Sequence, residues 1–328
     1  MRAILFDQPG GAENLYLGEY ADPRPTEHEL LVRVAATALN RADIMQRMGH
    51  YPPPLGASPI LGLEMAGEVI AVGAGVTQYQ IGDRVCGLLP GGGYAEQAVI
   101  HESLAIPVPD HMPWAVAAAI PEVFLTAWQS LHELADVQPG ETVLIHAGAS
   151  GVGTAAIQLV RHLGATAWVT ASAAKHTLCH RLGAQLAIDY HQENFAEAIA
   201  DYSQGKGVQV VIDFIGAPYF LRNLDVLTTD GRLVLLAFLG GAKVDGVNLA
   251  KVLMKRLRII GSTLRARNLD YKAQLVRSFR EKVWPAILRG EVAPVIDSAY
   301  DWQKVADAHR RMERNENAGK IVLQISDL

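Results

Sequence analysis

Thr142-Val143-Leu144-Ile145-His146-Ala147-Gly148-Ala149-Ser150-Gly151-Val152-Gly153 is the stretch on which the reading of the fold turns. A short apolar run ends in a turn rich in glycine. Val152, Ala155, Ala156, Leu159, Val160 and Leu163 then recur at the i, i+3, i+4 spacing of one helix face, until Gly164 stops the pattern. A strand, a tight turn and an amphipathic helix in that order predict a βα unit. A diphosphate held there needs backbone amides and the positive end of a helix dipole, and any Cβ on the turn would hold it off. Gly148 and Gly151 give that close approach and Gly153 lets the helix sit tight on the strand, with Ala149, Ser150 and Val152 completing the candidate turn. The spacing G-x-x-G-x-G departs from the common G-x-G-x-x-G. A tight turn with no ligand is the alternative, which the glycines disfavour because they weaken a turn that nothing occupies.

Outward from this turn, strands are expected at 142 to 146, 167 to 170, 186 to 189, 209 to 213, 232 to 237 and 257 to 261, alternating with helical stretches. That grammar predicts an α/β fold with a doubly wound parallel sheet covered on both faces. The first 110 residues differ, with strands expected at Leu30 to Leu39, Met65 to Val72 and Tyr94 to Ile100 between glycine turns, which predicts a β-rich, barrel-like domain. After Leu264 the pattern gives a long helix near Leu275 to Leu288 kinked at Pro285, another near Trp302 to Met312, and a closing strand Ile321 to Ile325. Six strands already complete the sheet, so this last segment is expected to return to the first domain. The domains are therefore drawn as 1–121 with 265–328, and 122–264.

Composition narrows the class. The chain has 328 residues, a net charge of -5, 19% charged and 50% hydrophobic residues, the profile of a globular protein of about two domains. Nucleic acid is not an expected partner. The most apolar segment, Trp114 to Trp128, is broken by Pro121 and Glu122, and no secretory leader is legible at Met1 to Phe6. No membrane association is expected, and the location is expected to be cytoplasmic. Two cysteines, Cys86 and Cys179, make neither a disulfide framework nor a four-cysteine zinc site.

The end of the second strand bears on the choice of dinucleotide. A site for NAD places a carboxylate about 20 residues beyond the glycines, on the ribose hydroxyls. Thr170-Ala171-Ser172-Ala173-Ala174-Lys175-His176 has none. Ser172 can donate a hydrogen bond to a 2′-phosphate and Lys175 supplies positive charge, so NADPH is favoured. Tyr190, after the third strand, adds a candidate phenolic donor. The alternatives are a solvated helix start for Ser172 and Lys175, and a half-buried core aromatic for Tyr190.

Ala36-Thr37-Ala38-Leu39-Asn40-Arg41-Ala42-Asp43, Gly49-His50-Tyr51-Pro52, Gly62-Leu63-Glu64-Met65-Ala66-Gly67, Gly82-Asp83-Arg84-Val85 and the glycine turn together resemble a medium-chain dehydrogenase/reductase. More narrowly, the chain resembles the zinc-independent quinone oxidoreductases, relatives of zeta-crystallin, over nearly its whole length. The resemblance implies a GroES-like barrel domain completed by the C-terminal segment, a Rossmann domain of strand order 3-2-1-4-5-6, and a homodimer, with Gly240 to Ile260 as the candidate edge. Zinc enzymes of the superfamily carry a ligand cysteine where Asn40 stands and a ligand histidine where Leu63 stands; neither residue suits zinc's nitrogen and sulfur shell. No metal is expected.

By the same resemblance, Asn40 and Asp43 lie in the loop of the former zinc shell, Tyr51 borders the acceptor as an orienting or proton-donating phenol, and Thr126 lies near the nicotinamide carboxamide. Phe238, Leu239, Gly240, Leu264, Arg265, Asn317 and Lys320 match stretches that line the cofactor cleft in relatives. Helix capping is the alternative for Asn40 and Asp43, and a surface cation is the alternative for Arg265 and Lys320. Without a Lewis acid, alcohol oxidation loses its main electrostatic support, whereas a quinone or an enone accepts hydride directly. The expected activity is NADPH-dependent quinone reduction; alkenal or enone double-bond reduction, and a non-catalytic NADPH-binding crystallin-like protein, are the alternatives.

Overall fold

A computed structural model describes residues 1–326. The chain divides into two compact units, Met1–Leu125 together with the chain from Leu264 onward, and Thr126–Thr263. Among the described residues, no helix is long and apolar enough to cross a membrane.

The first unit opens with the hairpin β1 (Arg2–Leu5) and β2 (Tyr16–Glu19). Strand β3 (Glu29–Ala38) is followed by helix α1 (Arg41–Arg47) and then by β4 (Glu64–Val72), β5 (Arg84–Leu88), β6 (Gln97–His101) and β7 (Ala105–Pro107). Helix α2 (Trp114–Ala118) and helix α3 (Pro121–Trp128) lead out of this segment. The expected strand from Tyr94 begins only at Gln97. Tyr94 is fully buried, its amide donates to Leu61 O and its carbonyl accepts from Ile4, so the backbone there is committed away from the β3 ladder.

In the second unit, β8 (Thr142–Ile145), α4 (Gly151–His162), β9 (Thr166–Ala171), α5 (His176–Leu182), β10 (Ala184–Asp189), α6 (Phe195–Tyr202), β11 (Val208–Asp213), α7 (Ala217–Val226), β12 (Leu227–Leu235), α8 (Leu249–Met254) and β13 (Arg258–Gly261) alternate. All neighbouring strands pair in parallel, in the order β10-β9-β8-β11-β12-β13, which is the expected 3-2-1-4-5-6. Both faces of the central strands are covered. Val143, Leu144 and Ile145 are therefore fully buried as a continuous run, each such side chain contributing roughly 1.5–3 kcal/mol. Helix α4 is buried all round over Gly153–Val160, Thr154 and Gln158 included, while Val152 and Leu163, expected on its apolar face, are only half-buried. Strand β12 starts five residues before its expected position: Leu227 pairs with Val208, and Asp230, with a left-handed φ of 63°, takes up the register shift before Arg232.

From Leu264 the chain returns to the first unit through α9 (Leu269–Lys282), α10 (Trp284–Leu288), β14 (Ile296–Asp301), α11 (Val305–Glu313) and β15 (Lys320–Gln324). The long helix expected here is two helices. Pro285 has no amide to donate to the preceding turn, and the break falls at Val283, with Pro285 in the first turn of α10. Strand β15 pairs antiparallel with the Ala36–Ala38 end of β3 and parallel with β14, giving the order β14-β15-β3-β4-β5-β7, with β6 on the other end of β3.

Candidate cofactor turn and acceptor-side network

Within the second unit, β8 delivers the chain into the turn at His146 and α4 carries it away. Ala147 adopts a left-handed φ of 50°, which costs an L-residue about 1–2 kcal/mol. Gly148 N donates to Thr170 O at 2.9 Å, tying the turn to β9, and Ser150 caps α4 by accepting from Gly153 N at 3.0 Å. A Cβ on Gly148 would lie 2.5 Å from Val169 Cβ, and one on Gly153 would lie 2.4 Å from Ala147 O. The glycines thus set how closely the turn, the helix and the neighbouring strand approach. The first-turn amides of α4, at Gly151 and Val152, have no carbonyl within the helix to bond, which suits an anionic phosphate. The turn fits a dinucleotide.

Beneath it lies a buried polar network that the sequence did not announce. His146 Nε2 is 2.8 Å from Asn223 Oδ1 and Nδ1 is 3.0 Å from Thr170 Oγ1; Asn223 Nδ2 in turn donates to Asp213 Oδ2 at 3.1 Å. Because the Asn223 amide nitrogen is spent on the carboxylate, its oxygen faces the imidazole. His146 therefore donates from Nε2 and accepts the Thr170 hydroxyl at Nδ1. Burial pushes His146 down to about 4, against the Asn223 hydrogen bond, and it stays neutral. Asp213, raised to about 6 by burial, accepts from the amides of Ile215 and Gly216. The one available signal was position, since His146, Thr170 and Asp213 all sit at or next to the carboxyl ends of parallel strands.

Ser172 and Lys175 flank the short turn after β9, both half-buried, and no carboxylate stands between Thr170 and Lys175. Tyr190 is 43% exposed, its ring tilted against that of His191, so the core-aromatic alternative does not hold for it. Thr126 is half-buried on α3, and its carbonyl accepts the Ser130 hydroxyl. Phe238 and Leu239 are exposed on the loop after β12, which is zipped to the loop after β11 by Leu239 N to Phe214 O and Gly240 N to Ile215 O.

In the first unit, Asn40 precedes α1 and Asp43 lies in its first turn. Asp43 is buried with both oxygens occupied: Oδ2 accepts from Asn40 N at 2.8 Å and the Tyr94 hydroxyl at 3.2 Å, and Oδ1 accepts from Gly62 N at 3.0 Å. Burial raises it to about 6 against those two amides. Arg47 Nη1 donates to His309 Nδ1, so His309 Nε2 carries the proton toward Tyr94, and the hydrogen bonds run in one direction from Arg47 to Asp43. Burial, helped by Arg47, pushes His309 down to about 3. The capping alternative thus describes the Asp43 carboxylate, which is committed to the framework.

Tyr51 follows α1 on a loop, half-buried, and burial raises its phenol above the ordinary value, which keeps the hydroxyl protonated and able to donate. Arg265 is not a surface cation. It is buried, donating to Pro90 O at 2.7 Å and Gln46 Oε1 at 2.6 Å, with its guanidinium 5.2 Å from the Tyr51 ring. Lys320 is not one either: it is 2% exposed and donates to Leu39 O, Asn40 Oδ1 and Glu64 Oε1. Leu264 is buried beside Arg265 in the chain, and Asn317 bonds locally to Gly319 O.

Known proteins share this arrangement of sequence and fold. Residues 26–110 match the family described as the alcohol dehydrogenase GroES-like domain, and residues 151–281 match the one described as zinc-binding dehydrogenase. The human synaptic vesicle membrane protein VAT-1 homolog is 33% identical over 98% of this chain and 86% of its own length. Among solved structures, the Escherichia coli quinone oxidoreductase complexed with NADPH is 30% identical with a TM-score of 0.89, over 99% of this chain and 100% of that one. The CurK enoyl reductase is 29% identical with a TM-score of 0.86, over 99% of both chains. Zinc does not fit the residues present here, whatever the second family's description: the Lys320 ammonium already stands between Asn40 and Glu64, and among the described residues no group of three or more His, Cys, Asp or Glu side chains is placed to hold a metal. By sequence, fold and site together, the chain belongs to the zinc-independent quinone oxidoreductase family of the medium-chain dehydrogenase/reductase superfamily.

Proposed function

We propose that the protein is a cytoplasmic NADPH:quinone reductase. The observation that carries the choice of cofactor is the end of β9, where Ser172 and Lys175 stand and no carboxylate repels a 2′-phosphate. The turn Gly148–Gly153 is read as holding the diphosphate, with Tyr190, Thr126, Phe238, Leu239, Gly240, Leu264, Arg265 and Asn317 as further candidate cofactor-side residues; Lys320, its three hydrogens spent on Leu39, Asn40 and Glu64, acts only through them. When bound, NADPH supplies hydride. The protein's own part is to bind, orient and protonate: Tyr51, whose hydroxyl has no hydrogen-bond partner among the described residues, is the proposed proton donor to the reduced acceptor, while Asn40 and Asp43 shape the acceptor side through the start of α1.

A second reading, reduction of an alkenal or enone double bond, uses the same residues, and the likeness to the CurK enoyl reductase favours keeping it. The deciding experiment is NADPH oxidation by purified protein against a panel of ortho-quinones, para-quinones and enones, with NADH as control. Turnover of quinones supports the first reading, turnover of enones alone replaces it with the second, and no turnover with any acceptor removes both. We also propose a homodimer through the edge strand β13 and helix α8, where Leu249, Leu253 and Met254 are each more than 70% exposed.

A further inference from the structure

Three oxygens from separate groups converge on one buried nitrogen. Lys320 Nζ donates to Asn40 Oδ1 at 2.6 Å, Glu64 Oε1 at 2.7 Å and Leu39 O at 2.8 Å. An ammonium has three N–H groups and no acceptor, so every hydrogen is used. The cage is itself braced: Glu64 Oε1 also accepts from Asn40 Nδ2 at 2.9 Å, Glu64 Oε2 accepts from the Glu122 amide at 2.8 Å, and Glu64 is fully buried. Through this one cation the start of β15, the start of β4, the first turn of α3 and the residues leading into α1 are joined.

Stability alone is a poor account of such a pair. A buried ion pair typically holds a fold no better than apolar side chains of the same volume, and its best-attested use is to fix one arrangement over others. Here the arrangement fixed is that of Asn40. Its side-chain oxygen faces Lys320 and its nitrogen faces Glu64, which sets the point where α1 begins and the run that leads to Tyr51. The donor set also selects its occupant. It offers one carboxylate, one amide and one peptide oxygen, with no nitrogen or sulfur, and the neighbouring Leu63 side chain offers no ligand.

We propose that Lys320 is a positioning residue, a tethered cation filling an oxygen cage that orders Asn40 and the segment running through α1 to Tyr51, and that this cage takes a small N–H cation in preference to zinc. The effect on turnover rests on the reductase reading; the occupancy of the cage does not, and the two are measured separately.

Lys320→Ala empties the cage and leaves its oxygens. The variant is examined in methylammonium chloride, in tetramethylammonium chloride at the same ionic strength, and with zinc chloride, reading Tm and NADPH turnover. Tm falls on substitution, methylammonium restores it along a saturating curve, tetramethylammonium and zinc do not, and turnover recovers along the same curve. An unchanged Tm, equal effects of the two ammonium salts, or a larger recovery with zinc overturns the proposal. If wild-type protein turns over no acceptor, the reductase reading fails and the Tm series still decides the cage. Where Lys320→Ala does not fold, the double variant Lys320→Met/Glu64→Gln removes both charges at near-constant volume. Its expected Tm lies within about 5 °C of wild type, while kcat drops roughly tenfold or more at an NADPH KM changed less than about threefold, since a mispositioned group acts on the chemical step. A kcat equal to wild type overturns the positioning role.

Discussion

Replacing Gly153 by alanine tests the cofactor turn at the point where the structure leaves least room. The new Cβ would lie 2.4 Å from Ala147 O, 2.6 Å from Gly148 O and 2.7 Å from Gly148 C. All three are backbone atoms of the turn, so no side-chain rotation relieves the clash. Ordinary contact begins near 3.4 Å, and the start of α4 and the turn must separate by about 1 Å. Overpacking of this kind costs about 1–3 kcal/mol of stability. The larger effect falls on the ligand. An amide bonded to a charged phosphate contributes about 1.5–3 kcal/mol, so losing one such contact weakens NADPH roughly 10- to 100-fold. Gly261→Ala is the control, because a Cβ there meets nothing within 4 Å. Fluorescence titration with NADPH and thermal unfolding, run on both variants, give the two numbers. If Gly153→Ala binds NADPH within about threefold of the parent, below the effect of a single lost phosphate contact, the close approach of helix and turn is not what forms the phosphate site.

Lys175→Ala should weaken NADPH by about tenfold, the scale of one charge-assisted contact, and leave NADH nearly unchanged; equal losses would remove the 2′-phosphate assignment. Tyr51→Phe should lower kcat with the acceptor KM nearly constant if the hydroxyl delivers the proton, and an unchanged kcat means that the ring only packs. Leu253→Asp on the exposed side of α8 should shift sedimentation from dimer to monomer, whereas an unaltered profile rules that surface out. Stability against pH carries opposed contributions. His146 and His309, depressed to about 4 and about 3, stabilise fully above the ordinary histidine value and lose that contribution as pH falls, because the unfolded chain takes up protons that the folded one refuses. Asp43 and Asp213, both raised to about 6, act the other way, their contribution being present below the ordinary aspartate value and lost as pH rises through 6. Asp43→Asn removes one contribution of the second kind, so its unfolding free energy relative to the parent should climb by about 1.4 kcal/mol per pH unit between pH 4 and 6. Urea titrations at several pH values that give parallel curves for variant and parent would contradict this.

The features legible in the sequence were local ones. The run Thr142–Ile145, the glycines after it and the spacing of α4 lie within a window of about twenty residues, where period and turn chemistry speak directly. Missing carboxylates after β9 were equally plain. Lys320 and Arg265 were harder, because a single cation in a polar stretch looks like surface until its partners are known. Those partners are Glu64, 256 positions away, and Gln46, 219 positions away. The hydrogen-bonded series from Arg47 through His309 and Tyr94 to Asp43 is hidden for the same reason, since Arg47 and His309 stand 262 positions apart. The break falls at Val283, two residues before the proline that marks it in the sequence, because a proline is well tolerated in the first turn of a new helix and α10 begins just before it.

The pairing of β15 with β3 also dictates an order of assembly. Residues 126–263 form a contiguous unit whose sheet needs nothing from the rest of the chain, so it can mature while the ribosome is still adding the segment from Leu264 onward. The first unit cannot. Its sheet can add neither β15 nor β14 beyond it, and Glu64 lacks its counter-charge, until Lys320 has left the exit tunnel, more than 250 residues after the carboxylate itself was made. The N-terminal segment therefore spends most of translation as an unfinished sheet, open at the Ala36–Ala38 end of β3, and that short edge is exposed to mispairing with another chain.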